Sequence, residues 1–243
     1  MVILYFCIVF FSQTQQLLKI TIMETNNAPQ QKRVFNLVII DASGSMSSIY
    51  QQALSGLNET IQTIRMAQVD HPEMQQYLTL ASFSSGNGYL NHIYTTSPIT
   101  QVKELTEKDY RVGGCTALYD AMGEMNTDMQ QRIRHDDYVL VTVITDGYEN
   151  ASSRWNSESI RSLVGELEQM GWTFTYIGAN QDVYEVSKSV GIKHCMSYAT
   201  DPDDTKAMFA KERKSRSKFF GMMADCLGSG ARFSLKEDYF GDV

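Results

Sequence analysis

From residue 34 onward, apolar runs of strand length alternate with longer stretches whose apolar residues recur every three or four positions. VFNLVII (34–40) reads as a strand buried on both faces. IYQQALSGLNETIQTIRMAQ (49–68) follows as an amphipathic helix, with Ile49, Ala53, Leu57, Ile61 and Ile64 on one stripe and His71-Pro72 as its end. YLTLASF (77–83) and YLNHIYT (89–95) flank Ser84-Ser85-Gly86-Asn87-Gly88, whose glycines allow the positive φ of a hairpin turn. That antiparallel pair puts one of its strands at a sheet edge. Residues 97–112 read as a connection with a short helix at Val102–Leu105, ending at Gly113-Gly114.

A helix from Ala117 to about Arg134 comes next, and DYVLVTVITDG (137–147) then repeats the first strand's pattern. WNSESIRSLVGELEQMG (155–171) predicts a helix capped by Ser157, striped by Ile160, Leu163, Val164 and Leu167, and stopped by Gly171. WTFTYIG (172–178) is a strand, 180–190 a helix, 192–198 a last strand, and 201–225 a closing helix that Asp201 starts. This alternation is the sequence form of an α/β domain with a mostly parallel sheet. It spans 34–225, between an N-terminal segment (1–33) and a tail (226–243).

At 243 residues and 43% hydrophobic content, the chain can bury one substantial core. Twenty-eight acids against 21 Lys and Arg give a formal charge of −7, which argues against nucleic acid as a partner. Cys7, Cys115, Cys195 and Cys226 show neither CxxC nor Cys/His spacing, so a zinc site is not expected and a reducing compartment, the cytoplasm, is favoured. MVILYFCIVFF (1–11) is too short for a membrane span but has the length of a signal-peptide apolar core. No Lys or Arg precedes it, no A-x-A-like cleavage site follows it, and Met23 opens a polar stretch. The reading adopted is that Met23 is the initiator and 1–22 lie upstream of the true start; a genuine signal in 1–22 would instead mean secretion.

Both buried strand patterns end in an acid, Asp41 and Asp146, and a glycine-rich loop, Gly113-Gly114-Cys115-Thr116, lies between them in sequence. The carboxyl ends of parallel strands share one edge, so these loops can meet there. The meeting point would hold two carboxylates (Asp41, Asp146) and three hydroxyls (Ser43, Ser45, Thr116). Such hard oxygen donors suit Mg²⁺, Mn²⁺ or Ca²⁺ rather than zinc or copper. Alternate spacing lets Asp41, Ser43 and Ser45 point to one side, and room is left in the shell for an outside group.

Asp41-Ala-Ser43-Gly-Ser45, Thr116 in GGCTALYDA, and Thr145-Asp146-Gly147, in that order, resemble the metal-ion-dependent adhesion site of the von Willebrand factor type A domain. The resemblance covers about residues 34–198. It implies a doubly wound sheet of about six strands with one antiparallel edge strand and helices on both faces. It implies Mg²⁺ or Mn²⁺, with Ser43 and Ser45 as direct ligands, Thr116 approaching when ligand binds, and Asp41 and Asp146 acting directly or through water. It also implies a non-enzymatic binding module whose protein partner supplies an Asp or Glu carboxylate. GGCTALYDA and IGANQD (177–182) look most like compact bacterial intracellular members, some of which work beside AAA+ ATPases.

Other features read more plainly. Asp120, in a first helical turn, is structural through the helix dipole. The four histidines share no ligand spacing, and Glu149 and Asn150, just after the T-D-G loop, read as ordinary loop polarity or, as the lesser reading, as a rim of the binding surface. KAMFAKERKSRSK (206–218), with six basic residues and one acid, reads as a solvated helix face, with docking of an acidic partner or a nucleic acid as the lesser reading. Two further readings stay open: a metal-dependent phosphoester hydrolase, against which Ser43 stands where a second acid is wanted, and a scaffold that binds through another face.

Overall fold

The computed structural model describes residues 31–86, 88–179 and 182–241. The expectations about 1–22 and the start at Met23 lie outside them. Six strands are β1 (Lys32–Asp41), β2 (Met74–Phe83), β3 (Leu90–Pro98), β4 (Tyr138–Thr145), β5 (Thr173–Ala179) and β6 (His194–Tyr198). They form one sheet in the order β3-β2-β1-β4-β5-β6, with β3 antiparallel at the edge and every other pair parallel. The chain runs outward from β1 to β3 and then returns to β4 and on to β6. The strand order therefore reverses between β1 and β4, the position where open α/β sheets leave a crevice.

Among the described residues five α-helices cover the sheet: α1 (Tyr50–Asp70), α2 (Leu118–Arg132), α3 (Ser157–Gln169), α4 (Val183–Ser189) and α5 (Pro202–Gly228). The apolar strand patterns follow from this double cover. Val34, Val38 and Ile40 pack toward α1 and α5, while Phe35, Leu37 and Ile39 pack toward α2 and α3. Close packing sets one residue choice: a Cβ on Gly56 of α1 would lie 2.2 Å from the Phe209 ring of α5, so only glycine lets the two helices meet there. Among the described residues no helix is long and apolar enough to cross a membrane.

Several local expectations are corrected. The short helix expected at Val102–Leu105 is a 3-10 turn at Ile99–Gln101, after which Val102 and Leu105 bury in extended chain. The cap of α3 is Asn156 rather than Ser157, because its side chain accepts from the Ser159 N–H and the Ser159 hydroxyl accepts from the Asn156 N–H in return. Residues 226–243, expected as a tail beyond the core, include Phe233, Tyr239 and Phe240, all buried. Phe219 of α5 meets the Phe233 ring at 5.1 Å and the Tyr239 ring at 5.8 Å, so the segment folds back over its own helix.

The basic run on α5 is corrected too. Lys206, Lys211, Arg213 and Lys214 are exposed, but Arg216 is fully buried. Its guanidinium donates to Glu212 Oε1, Asn36 Oδ1 and Thr142 Oγ1, each at 2.8 Å, and the Tyr239 hydroxyl reaches the same Glu212 oxygen at 3.3 Å. A charge pattern that reads as a solvated face thus places one cation inside, tying α5 to β1 and β4.

Candidate metal centre at the carboxyl edge of the sheet

Register brings the two acids together. Ile40 pairs with Ile144, so Asp41, one step on, faces Thr145, and Asp146 follows directly. The Thr145 hydroxyl donates to Asp41 Oδ2 at 2.6 Å, and the Ser43 N–H donates to Asp41 Oδ1 at 2.7 Å. Ser45 donates to Asp146 Oδ1 at 2.6 Å, and the Ser43 and Ser45 oxygens stand 3.1 Å apart. Thr116 Oγ1 and Ser45 Oγ lie 3.9 and 4.0 Å from the point where a Gly147 Cβ would sit. The structure therefore brings all five predicted residues to one place.

Two backbone hydrogen bonds hold the loops in this arrangement. The Gly113 N–H donates to Ala42 O at 2.8 Å and the Gly44 N–H to Gly114 O at 3.0 Å, pinning the serine loop to the glycine loop on both sides of Ser43. Gly114 has φ +80°, a left-handed conformation that L side chains rarely adopt. A 3-10 turn, Gly44–Ile49, then leads from the serine loop into α1. Asp41, Ser43, Thr116 and Asp146 are buried, whereas Ser45 is exposed and forms the opening of the site.

Burial makes ionisation of the pair costly. It is the main cause pushing Asp41 up to about 6; hydrogen bonds from Thr145 and Ser43 oppose it, and the neighbouring Asp146 charge adds to it. Asp146 is raised as well, mainly by burial, with the Ser45 hydrogen bond opposing. A divalent cation between the carboxylates would relieve both. Among the described residues no group of three or more His, Cys, Asp or Glu side chains could hold a metal. The donors here are instead two carboxylates completed by hydroxyls, a set that fits Mg²⁺ or Mn²⁺. The 3.1 Å between Ser43 and Ser45 also matches the roughly 3.0 Å that separates adjacent ligands of an octahedron at about 2.1 Å.

Residues beyond the five shape the same site. Thr145 belongs to the T-D-G triplet, and its hydroxyl restrains Asp41. Tyr110 donates to the Asp41 carbonyl at 2.6 Å from inside the irregular 97–112 connection, where no pattern marks it. Asn150 and Glu149 are clamps rather than ordinary loop polarity. Asn150 Oδ1 accepts the Thr116 N–H at 2.9 Å, and Thr116 O accepts the N–H groups of Asn150 and Ala151. The Glu149 carboxylate takes the N–H groups of Tyr119, Ala151 and Ser152.

Asp120 is structural, but through contacts more specific than the helix dipole. Its carboxylate accepts the N–H groups of Ser153, Arg154 and Trp155 and is held low by them, although burial pulls the other way as the largest cause. Arg154 in turn pairs with Glu124 at 3.0 Å and lies 4.9 Å above the Tyr89 ring. The loop after Asp146 is thereby fastened to α2 and to the hairpin.

No family model matches the sequence, and no curated protein matches it. Solved structures do match. The pilus adhesin SpaC of Lactobacillus rhamnosus GG, in its open conformation, superposes with a TM-score of 0.59 at 14% identity, over 78% of this chain and 30% of that one. The D319A mutant of the PilB minor pilin of Streptococcus sanguinis gives 0.54 at 14%, over 79% and 63%. This chain thus spans less than two thirds of the pilin and less than one third of the adhesin. The SpRpn10 VWA domain gives 0.50 at 10% identity, over 73% of this chain and 94% of that domain. At such identities the likeness is one of fold, and with the sheet order and helix layers above it shows that the chain folds as a von Willebrand factor type A-like domain.

Proposed function

We propose that this chain is a divalent-metal-dependent binding module that captures a carboxylate of a partner protein, without turnover. The observation that carries this reading is the convergence of Asp41, Asp146, Ser43, Ser45 and Thr116 at the switch point, with buried acids and one exposed hydroxyl. When bound, Mg²⁺ or Mn²⁺ would supply an open position for an incoming Asp or Glu side chain. Ser43 and Ser45 would be its direct protein ligands. Thr145 and the Ser43 N–H hold Asp41 in one orientation, and Asn150 holds the Thr116 backbone in place. Specificity would then come from the loops around the opening: 43–48, 113–116 and 147–156, and the described part of 178–184. Among the described residues Cys115, Cys195 and Cys226 are free thiols, which suit a reducing compartment such as the cytoplasm.

The test is Mn²⁺ binding by the full chain, followed by electron paramagnetic resonance and compared with Asp41→Ala/Ser43→Ala. Saturable binding that disappears in the variant is expected. Equal signals from the two proteins, with and without acetate as a carboxylate mimic, would defeat the reading and favour a scaffold that binds through another face.

A further inference from the structure

Exposed large hydrophobic side chains are few among the described residues: Met66, Val69, Tyr148, Met170 and Tyr184. Two of the five, Tyr148 and Tyr184, follow the carboxyl ends of β4 and β5, the sheet edge that carries the site. Tyr148 is the second residue after Asp146, and its ring is 55% exposed although its hydroxyl is held, accepting the Asp182 N–H at 3.2 Å. Tyr184 lies in the first turn of α4 and is 65% exposed. An exposed aromatic ring pinned by its hydroxyl loses little freedom when a partner covers it, which suits an anchor for binding.

The charges around the two rings select what would cover them. Asp182 and Glu185 are both exposed; Asp182 caps α4 through the Glu185 N–H at 3.1 Å, and Glu185 pairs with Lys188 at 3.9 Å. The Lys188 ammonium already lies 5.8 Å from the Tyr184 ring centre, so that face accepts a cation within the chain itself. Two acids and one lysine leave the rim one charge negative. A second carboxylate on a partner would be repelled here, and an apolar side chain would bring nothing to offset the remaining negative charge. A guanidinium can stack on a tyrosine ring and pair with a carboxylate at once.

We propose that Tyr148, Tyr184, Asp182 and Glu185 form an accessory subsite for an arginine side chain carried by the same partner segment whose carboxylate addresses the metal centre. This rests on the carboxylate-capture reading above. The segment recognised would thus hold one acid and one arginine a few residues apart, rather than a cluster of acids.

The experiment uses the full chain and synthetic peptides on a Gly/Ser background, each with one Glu and an Arg placed one to four residues away, beside counterparts with Gln or Leu for the Arg. Affinities are read by NMR titration in Mg²⁺ and in EDTA. For at least one spacing, the Arg peptide should bind about five-fold more tightly than its Gln counterpart in Mg²⁺, the scale of an exposed cation–aromatic contact plus a carboxylate. That ratio should fall below about two-fold in Tyr148→Ala/Tyr184→Ala. It should fall likewise in Asp182→Asn/Glu185→Gln, where asparagine can still cap the helix. Glu peptides that bind only with Mg²⁺ but show no Arg advantage at any spacing would overturn the subsite and leave carboxylate capture standing. A Leu counterpart that binds more tightly than Arg would also overturn it. Peptides that bind equally in Mg²⁺ and EDTA would remove both proposals.

Discussion

Arg216 and Glu212 are buried as opposite charges under the middle of the sheet, whereas Asp41 and Asp146 are buried as like charges at its edge. In the first cluster every guanidinium nitrogen has an acceptor within the protein, drawn from α5, β1 and β4. In the second, the hydroxyls of Thr145 and Ser45 and the Ser43 N–H hold the carboxylates in place. The first cluster is electrically complete and fixes how α5 sits. The second sets two carboxylates side by side among hydroxyls, the arrangement on which the proposed cation binding rests. A buried ion pair can be purely structural, whereas two buried carboxylates held side by side are a candidate for function.

The contrast is most open to challenge at the arginine. Arg216→Met leaves Glu212 buried without its cation and should destabilise the domain by about 3–5 kcal/mol in urea unfolding. Glu212→Leu/Arg216→Met should recover most of that loss, since an apolar pair of similar volume removes both desolvation costs. A double variant as unstable as the single one would mean that shape, not charge, is what Arg216 provides.

The acid pair should behave in the opposite sense. The folded Asp41 pKa of about 6 lies above its ordinary value, so the fold favours the neutral form. Its stabilising contribution is complete below about pH 4 and is lost as pH rises through about 6, on the order of 2–3 kcal/mol. In EDTA, thermal unfolding should therefore show stability falling across that window, and Asp41→Asn should flatten the fall. Added Mg²⁺ should restore stability above pH 6 in the unchanged chain, because a ligand that binds the folded state stabilises it by mass action.

A smaller effect is expected at Asn150→Ala, which frees the Thr116 N–H and should cost about 1–2 kcal/mol of stability. The same variant should weaken Mn²⁺ binding more than it weakens the fold, which separates a clamp of the site from a general packing contact. Smallest of all, Lys211→Gln, Arg213→Gln and Lys214→Gln together should shift unfolding by no more than about 0.5 kcal/mol per site, because these side chains are exposed. Equal sensitivity at Arg213 and Arg216 would erase the distinction between the face and the interior of α5.

What the sequence made legible follows from what is local in it. A strand covered on both faces has to be apolar at nearly every position, so VFNLVII and YVLVTVIT declare themselves. The site acids are visible because each ends such a run, and Ser43, Ser45 and Thr116 because they stand at short, fixed distances from an acid or a glycine pair. Tyr110 and the Asn150 clamp are not legible, since each acts across 34 or more residues on a partner its neighbours do not announce. Arg216 misleads for the same reason. Its partners Asn36 and Thr142 are supplied from strands 180 and 74 residues away, and a run of basic residues cannot show which member points inward. Phe233, Tyr239 and Phe240 follow a glycine-bearing stretch with no period, so their burial becomes visible only once α5 gives them a surface.

That folded-back segment has a consequence for how the domain can be presented. Its contacts fall at the starts of strands: the Phe233 N–H reaches the Tyr138 hydroxyl at the head of β4, and the Tyr239 N–H reaches His194 Nδ1 at the head of β6. The Lys32 N–H likewise meets Glu73 O where β1 and β2 begin. Both ends of the folded unit therefore leave from the edge opposite Ser45, a strand's length away. A bead or sensor surface attached directly at Lys32 or at Gly241 would leave the opening facing outward, toward the solution a partner arrives from.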